Sequence, residues 1–212
     1  MLDSQERIAM KKLDREFYNR DSILVAKELL GKVLVHEAGG QRTSAKVVEA
    51  EAYMGFEDKA AHSYGGKRTS RVEVMYGSPG FSYIFMIYGM YYCFNIVASE
   101  KEKPQAVLIR AAEPLEGAEW MAQRRFGRSY EQLTRSQRRG LTNGPGKLCR
   151  ALSLDRSLNG MDLCGNEVYV EEGGSNSFSI VTTKRVGVDY AEEAKDYPWR
   201  FYIEGNEYVS VK

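Results

Sequence analysis

No charged side chain occurs between Glu73 and Glu100, and a neutral run of that length must cross a bilayer, fill a core or pair with itself. Its apolar part, Phe81 to Ala98, is long enough to raise the question of a membrane span. The residues do not suit lipid, because Ser82, Tyr83, Tyr88, Gly89, Tyr91, Tyr92 and Asn95 interrupt the run. Two strands, Phe81 to Tyr88 and Tyr91 to Val97, turning at Gly89, accommodate the same residues. Core packing is the first explanation for most of the rings in those strands. The turn is different. Tyr88 and Met90 flank Gly89 where polar residues are usual, so an aromatic ring and a thioether are expected to face outward. Apolar side chains projected from a tip beside a basic patch are the parts needed to wedge between base pairs of a bent duplex.

The flanking segments predict a mostly antiparallel sheet with a few helices. Asp21 or Ser22 caps a helix through Leu24, Val25, Ala26, Leu29 and Leu30, and Gly31 ends it. Lys32 to His36 and Ser44 to Tyr53 read as strands joined through Gly39-Gly40. Met54 to Ser70 reads as a surface loop, and Ala106 to Ala112 as another strand. Pro114 to Phe126 is predicted as a helix with its proline at the start, where no N–H is needed. Asn143-Gly144-Pro145-Gly146 precedes a short helix through Lys147, Leu148, Ala151 and Leu152, without forming a Walker motif. Glu167 to Val170, Ser179 to Lys184 and Arg200 to Ile203 supply the last strands. A chain of 212 residues with no repeat and no evident linker is read as a single domain, 1–212.

One strand is chemically equipped. In Val48-Glu49-Ala50-Glu51-Ala52-Tyr53, alternation puts Glu49, Glu51 and Tyr53 on one face with Val47, and Val48, Ala50 and Ala52 on the other. Carboxylates two residues apart lie about 6.5–7 Å from each other, near enough to serve one reacting centre. A solvated strand face would carry the same pattern. His62 follows in the loop. Farther along, Arg124, Arg125, Arg128, Arg135, Arg138, Arg139, Lys147 and Arg150 face a single acid, Glu131, which makes either a positive patch or a plain solvated helical face. Cys93, Cys149 and Cys164 support neither a disulfide framework nor a zinc cluster, so no metal and no cofactor are expected. Met1 to Arg7 lacks the basic start and apolar run of a secretion signal, which points to a cytoplasmic, nucleoid or nuclear setting.

Six separated runs then share an order: Val48-Glu-Ala-Glu-Ala-Tyr-Met-Gly55, Glu57-Asp-Lys-Ala-Ala-His-Ser63, Ile87-Tyr-Gly-Met-Tyr-Tyr-Cys-Phe-Asn95, Leu108-Ile-Arg-Ala-Ala-Glu-Pro-Leu-Glu-Gly117, Gly144-Pro-Gly-Lys-Leu-Cys149 and Arg185-Val-Gly-Val188. Together they resemble the alkyladenine (3-methyladenine) DNA glycosylases over roughly Phe17 to Val211. The resemblance implies an α+β fold: one compact domain with a curved, open, barrel-like sheet, flanking helices and a protruding β-hairpin. It implies a monofunctional enzyme that flips a damaged purine out of double-stranded DNA and hydrolyses its N-glycosidic bond, acting as a monomer. By the same resemblance Glu51 is the base that activates water, with Arg110 and the Val186 carbonyl helping to hold that water. Tyr53 and His62 sandwich the flipped base, Phe85 completes the base pocket, and Asn95 lies where an undamaged guanine would clash. Tyr88 is the wedge, with Met90 and Tyr91 beside it, and Met75 and Lys147 contact the DNA or support its backbone.

The chain departs from the pattern at Phe85, where a tyrosine is expected. The ring and its stacking survive; the hydroxyl does not. Singly, His62, Arg110 and Asn95 each have a plain structural explanation, and their joint arrangement is what favours catalysis. Two alternatives make distinct forecasts. A catalytically silent DNA-binding module would release no base, and a carbohydrate hydrolase would use Glu49 and Glu51 as its reacting pair, whereas the glycosylase resemblance leaves Glu49 a structural support.

Overall fold

The neutral run does pair with itself. In the computed structural model, which describes residues 10–174 and 177–211, it forms an antiparallel hairpin with Ser82 opposite Ile96 and Ile87 opposite Tyr91. Among the described residues no helix is long and apolar enough to cross a membrane. Met1 to Arg7, the segment without the features of a secretion signal, lies outside the described residues.

The strands are β1 (Val33–Ala38), β2 (Gln41–Tyr53), β3 (Ser82–Ile87), β4 (Tyr91–Ala98), β5 (Gln105–Glu116), β6 (Val168–Glu171), β7 (Ile180–Thr183) and β8 (Arg200–Ile203). They form one antiparallel sheet in the order β3-β4-β5-β2-β1-β6, with β8 added to β2 and β7 to β8. The long strand β2 organises it. One edge of β2 pairs with β5, while the other is divided, its first half taken by β1 and residues Glu49 to Glu51 by β8. The sheet therefore curls around the carboxylate segment, which has a strand on each side.

Strict alternation fails within that segment. The register against β5 slips between Val47 and Glu49 and again between Glu49 and Ala50, and a bulge re-aims the side chains around it. Val47, expected beside the two acids, instead joins Val48, Ala50 and Ala52 in the main core. The second slip skips Arg110, since Glu49 pairs with Ala111 and Ala50 with Ile109.

The helices are α1 (Arg15–Tyr18), α2 (Ser22–Leu29), α3 (Ala118–Phe126), α4 (Arg135–Arg139) and α5 (Pro145–Leu152). Asp21 caps α2 through the Ile23 N–H, and Gly31, at φ 84°, follows its end as expected. The helix predicted from Pro114 begins later. Pro114 lies in β5 opposite Ala45, where the register shifts against Ser44, a place that tolerates a residue without an N–H. The strand continues to Glu116, Gly117 turns at φ 74°, and α3 starts at Ala118. A proline in the first helical turn is found instead at Pro145. Val25 and Leu29 of α2, Met121 of α3, and Leu148 and Leu152 of α5 bury their side chains with Val48, Phe94, Ile96 and Ile109 of the sheet. That packing fixes the strands that carry the site.

Candidate active site

A cleft of about 550 Å³ opens between β2, the β3–β4 hairpin, β5 and the segment after Arg185. Tyr53, His62, Phe85, Asn95, Arg110 and Val186 line it, with Met75 and Tyr88 at its walls and mouth. Stretches far apart in the sequence thus converge on one concavity. Glu51, Met90, Tyr91 and Lys147 are not in its lining: Glu51 is buried against Tyr53, Arg110 and Val186, and Lys147 is exposed on the first turn of α5, with its Nζ on Asn143 Oδ1 at 2.9 Å.

Glu49 and Glu51 are both fully buried, so the reading of a solvated strand face is excluded. Glu51 Oε1 accepts the Val186 N–H at 2.8 Å and lies 3.3 Å from Arg110 Nη1. Its Oε2 accepts the Tyr53 hydroxyl at 2.9 Å. Glu49 Oε1 accepts from Arg110 Nε at 3.1 Å and from Arg200 Nε at 2.7 Å, while Oε2 accepts the Ser210 N–H at 2.7 Å. Arg110 is the residue that the β5 bulge skips, which is how a strand residue comes to lie between two carboxylates of its neighbour. Burial raises the pKa of Glu51; Arg110, the Val186 N–H and the Tyr53 hydroxyl oppose that rise, and Glu49 adds to it. The result is a carboxylate with a pKa above its ordinary value, surrounded by groups that favour its charged form.

Across the cleft, the rings of His62 and Phe85 meet edge-on, with centroids 4.6 Å apart, and Tyr83 lies 5.3 Å from Phe85. His62 Nδ1 is 2.8 Å from the Tyr83 hydroxyl. Burial, with Arg71 and Lys67 nearby, lowers the His62 pKa to about 4, so the ring is neutral at pH 7. A neutral imidazole can stack and share a hydrogen bond but holds no surplus proton for a leaving group. The hydroxyl absent at Phe85 has a neighbour in Tyr83, two residues earlier on the same strand. Asn95 is nearly buried, its Nδ2 donating to the carbonyls of Tyr83 at 3.0 Å and Cys93 at 3.3 Å.

The hairpin tip is unlike the rest. Tyr88 has φ 52° and Gly89 φ 68°, and the Met90 N–H donates to the Ile87 carbonyl at 3.2 Å, a turn with both central residues left-handed. Asparagine is the common first residue of such a turn; a tyrosine there costs about 1–3 kcal/mol of strain. Tyr88 is 87% exposed and Met90 67%. The strained, exposed ring of Tyr88 thus adds little to the core.

The sequence profile of the methylpurine-DNA glycosylase (MPG) family matches residues 16–207. The chain belongs to that family. A protein of Desulfitobacterium hafniense named "Putative 3-methyladenine DNA glycosylase" is 73% identical over 203 residues, covering 96% of this chain and all of the relative. Proteins of the same name from Clostridium acetobutylicum and Alkaliphilus oremlandii are 61% and 53% identical over 94% and 95% of this chain, and over 98% and 100% of their own lengths. The chain is accordingly a DNA glycosylase, a monofunctional hydrolase of DNA repair.

In this glycosylase several residues that sequence reasoning did not single out hold the site together. Asp58 is fully buried and forms a two-pronged pair with Arg185 at 2.6 and 2.8 Å. It also accepts the N–H groups of Met54 and Ala60, pinning the loop that carries His62. Arg185 donates to the Ala52 carbonyl and lies 4.8 Å from the Tyr53 ring centroid. Both residues stand within the runs quoted for the family resemblance, and that was their available signal. Tyr83 could have been found from strand alternation with Phe85. Arg71 and Tyr190 also line the cleft, without any comparable signal.

The basic run is only partly a free patch. Arg125 donates to the carbonyls of Leu141 and Gly140, Arg138 to that of Glu131, and Arg135 pairs with Glu207. Tyr91 packs on the first turn of α5, where a Cβ added to Gly146 would stand 2.9 Å from the Tyr91 Cβ and 3.0 Å from its ring. Gly146→Ala is therefore expected to displace Tyr91 and cost about 1–3 kcal/mol of stability by overpacking, read as a lower melting temperature in calorimetry. An unchanged melting temperature would mean that the contact is slack.

Proposed function

We propose that the enzyme flips an alkylated or deaminated purine of the 3-methyladenine, 7-methylguanine, hypoxanthine or ethenoadenine type from duplex DNA into this cleft and hydrolyses its N-glycosidic bond with a Glu51-activated water. The observation that carries the proposal is the buried carboxylate of Glu51, held by Arg110, Tyr53 and the Val186 N–H beneath an aromatic cleft. The water oxygen bonds to C1′ of the sugar, the bond from C1′ to the base nitrogen breaks, and Glu51 takes the water proton. A cationic alkylated base leaves as a neutral one, and electron deficiency also improves its stacking on Tyr53, His62 and Phe85; a neutral lesion such as hypoxanthine leaves as an anion and takes a proton from solvent water. Arg110 and the Val186 carbonyl orient the water. Asn95, fixed by its two carbonyl partners, stands against the 2-amino group of an undamaged guanine.

Flipping costs a few kcal/mol of unstacking and unpairing. Tyr88 offsets that cost by filling the vacated space, with Met90 and Tyr91 beside it along the groove and Lys147 near the backbone; Met75 supports the cleft wall. The whole chain acts as one domain, as a monomer, wherever the cell keeps its DNA. Release of free base from a panel of single-lesion duplexes tests the activity; a chain that binds these duplexes and releases none would be the catalytically silent module instead. Tyr88→Ser tests the wedge. It is expected to weaken binding to lesion duplex about tenfold, ~1.4 kcal/mol, with much less effect on undamaged duplex. Equal losses on both would remove Tyr88 from that role.

A further inference from the structure

Glu49 takes no part in the proposed chemistry, yet each of its oxygens is committed. Arg110 Nε and Arg200 Nε share Oε1 at 3.1 and 2.7 Å, and the Ser210 N–H reaches Oε2 at 2.7 Å. Arg110 spends its Nε on Glu49 and faces Glu51 Oε1 with Nη1 at 3.3 Å. A guanidinium is a rigid planar fork, so fixing one prong fixes the direction of the others. Arg200 in turn stands opposite Glu51 in the β2–β8 register. Glu49, Glu51, Arg110 and Arg200 are all buried, and their two negative and two positive charges balance.

We propose that Glu49 is a positioning residue of the glycosylase, holding the Arg110 guanidinium against Glu51 so that the base carboxylate is presented in one orientation. The C-terminal segment joins this arrangement through Ser210, which lies past the matched family span of 16–207. The inference rests on Glu51 as the catalytic base. A merely structural Glu49 would stabilise the fold through its ion pairs and leave the chemistry of the surviving folded molecules untouched. A positioning Glu49 acts on Glu51 in two ways. It fixes the partner of Glu51, and its own negative charge opposes ionisation of Glu51.

These two actions give a double signature. Glu49→Gln keeps the shape and an oxygen for Arg110 Nε, removes the charge and loosens the hold on Arg110 while its Nη1 stays beside Glu51. Its plateau rate of single-turnover release from hypoxanthine or 7-methylguanine duplex is expected to fall about ten- to a hundredfold, while the acid limb of its pH profile moves to lower pH. Glu49→Asp keeps the charge but withdraws the carboxylate by one methylene. It is expected to lower the plateau with the limb unmoved, and it serves as the test if the glutamine variant does not fold. Wild-type plateau rates in the folded variants, or losses matching the unfolded fraction with no movement of the glutamine variant's limb, would overturn the positioning role. Glu51→Gln is assayed in parallel. If it still releases base, the parent reading fails; if it is inert while the Glu49 variants behave as wild type, only the positioning role fails.

Discussion

Glu51→Gln is expected to lower base release by at least about a thousandfold, within the range general-base catalysis supplies, while lesion-duplex binding stays within a few-fold of wild type. The substitution preserves the shape of the side chain and an oxygen for the Val186 N–H or the Tyr53 hydroxyl. It cannot accept the proton of an attacking water. Stability is expected to respond differently from activity. Burial raises the Glu51 pKa above its unfolded value, so the protonated group favours folding at low pH and that contribution is lost as pH rises through the folded pKa. At neutral pH the ionised group is therefore a cost to folding that glutamine removes, and the variant's melting temperature should not fall by more than a few degrees. Single-turnover release, fluorescence anisotropy with lesion duplex and calorimetry at pH 7 read the three quantities. Excision at close to the wild-type rate by the folded variant would end the assignment of Glu51 as the base.

How much of this was legible depends on which physical rule each residue obeys. The hairpin and the long strand β2 follow hydrophobic pattern and turn chemistry, and both lie close to where the sequence puts them. Pro114 and Val47 were misread for a common reason. Each sits at a register shift, and a bulge belongs to a pair of strands, so one strand's periodicity does not reveal it. The same bulging brings Arg110 between Glu49 and Glu51, and no spacing rule within residues 48–53 contains that information. Tyr53, His62, Asn95, Arg110 and Val186 of the cleft stand in motifs legible in the sequence. The groups that orient them act across the fold, Asp58 on Arg185 and Ser210 on Glu49, and a single sequence cannot pair residues so far apart. Tyr88 is the opposite case. Its oddity beside a turn glycine was visible in the sequence, and the left-handed backbone at φ 52° gives that oddity a physical cost.

Arg110→Gln should have the second large effect, with the opposite sign on pH from the Glu49 substitution. Arg110 is nearly buried between two carboxylates. Removing it takes the ion-pair partner from Glu51, leaving Arg185 to act on it at longer range, and leaves Glu49 with Arg200. Breaking a buried pair from one side costs about 3–5 kcal/mol. Without the guanidinium the carboxylate that burial already raises goes higher still. Its folded pKa is then further above the unfolded one, so the stability loss is greatest above that pKa and shrinks as acidification protonates the group. The variant should therefore melt closer to wild type at low pH than at pH 7. The acid limb of its release rate should move to higher pH, and the plateau should fall about a hundredfold as a water-orienting donor disappears. Melting curves and single-turnover profiles over the same pH series measure both. Losing the Glu49 charge alone lowers the limb and losing Arg110 raises it, so an upward shift in both variants would mean that Arg110 leaves Glu51 when Glu49 is replaced, and an unmoved limb in both would mean that neither charge acts on Glu51.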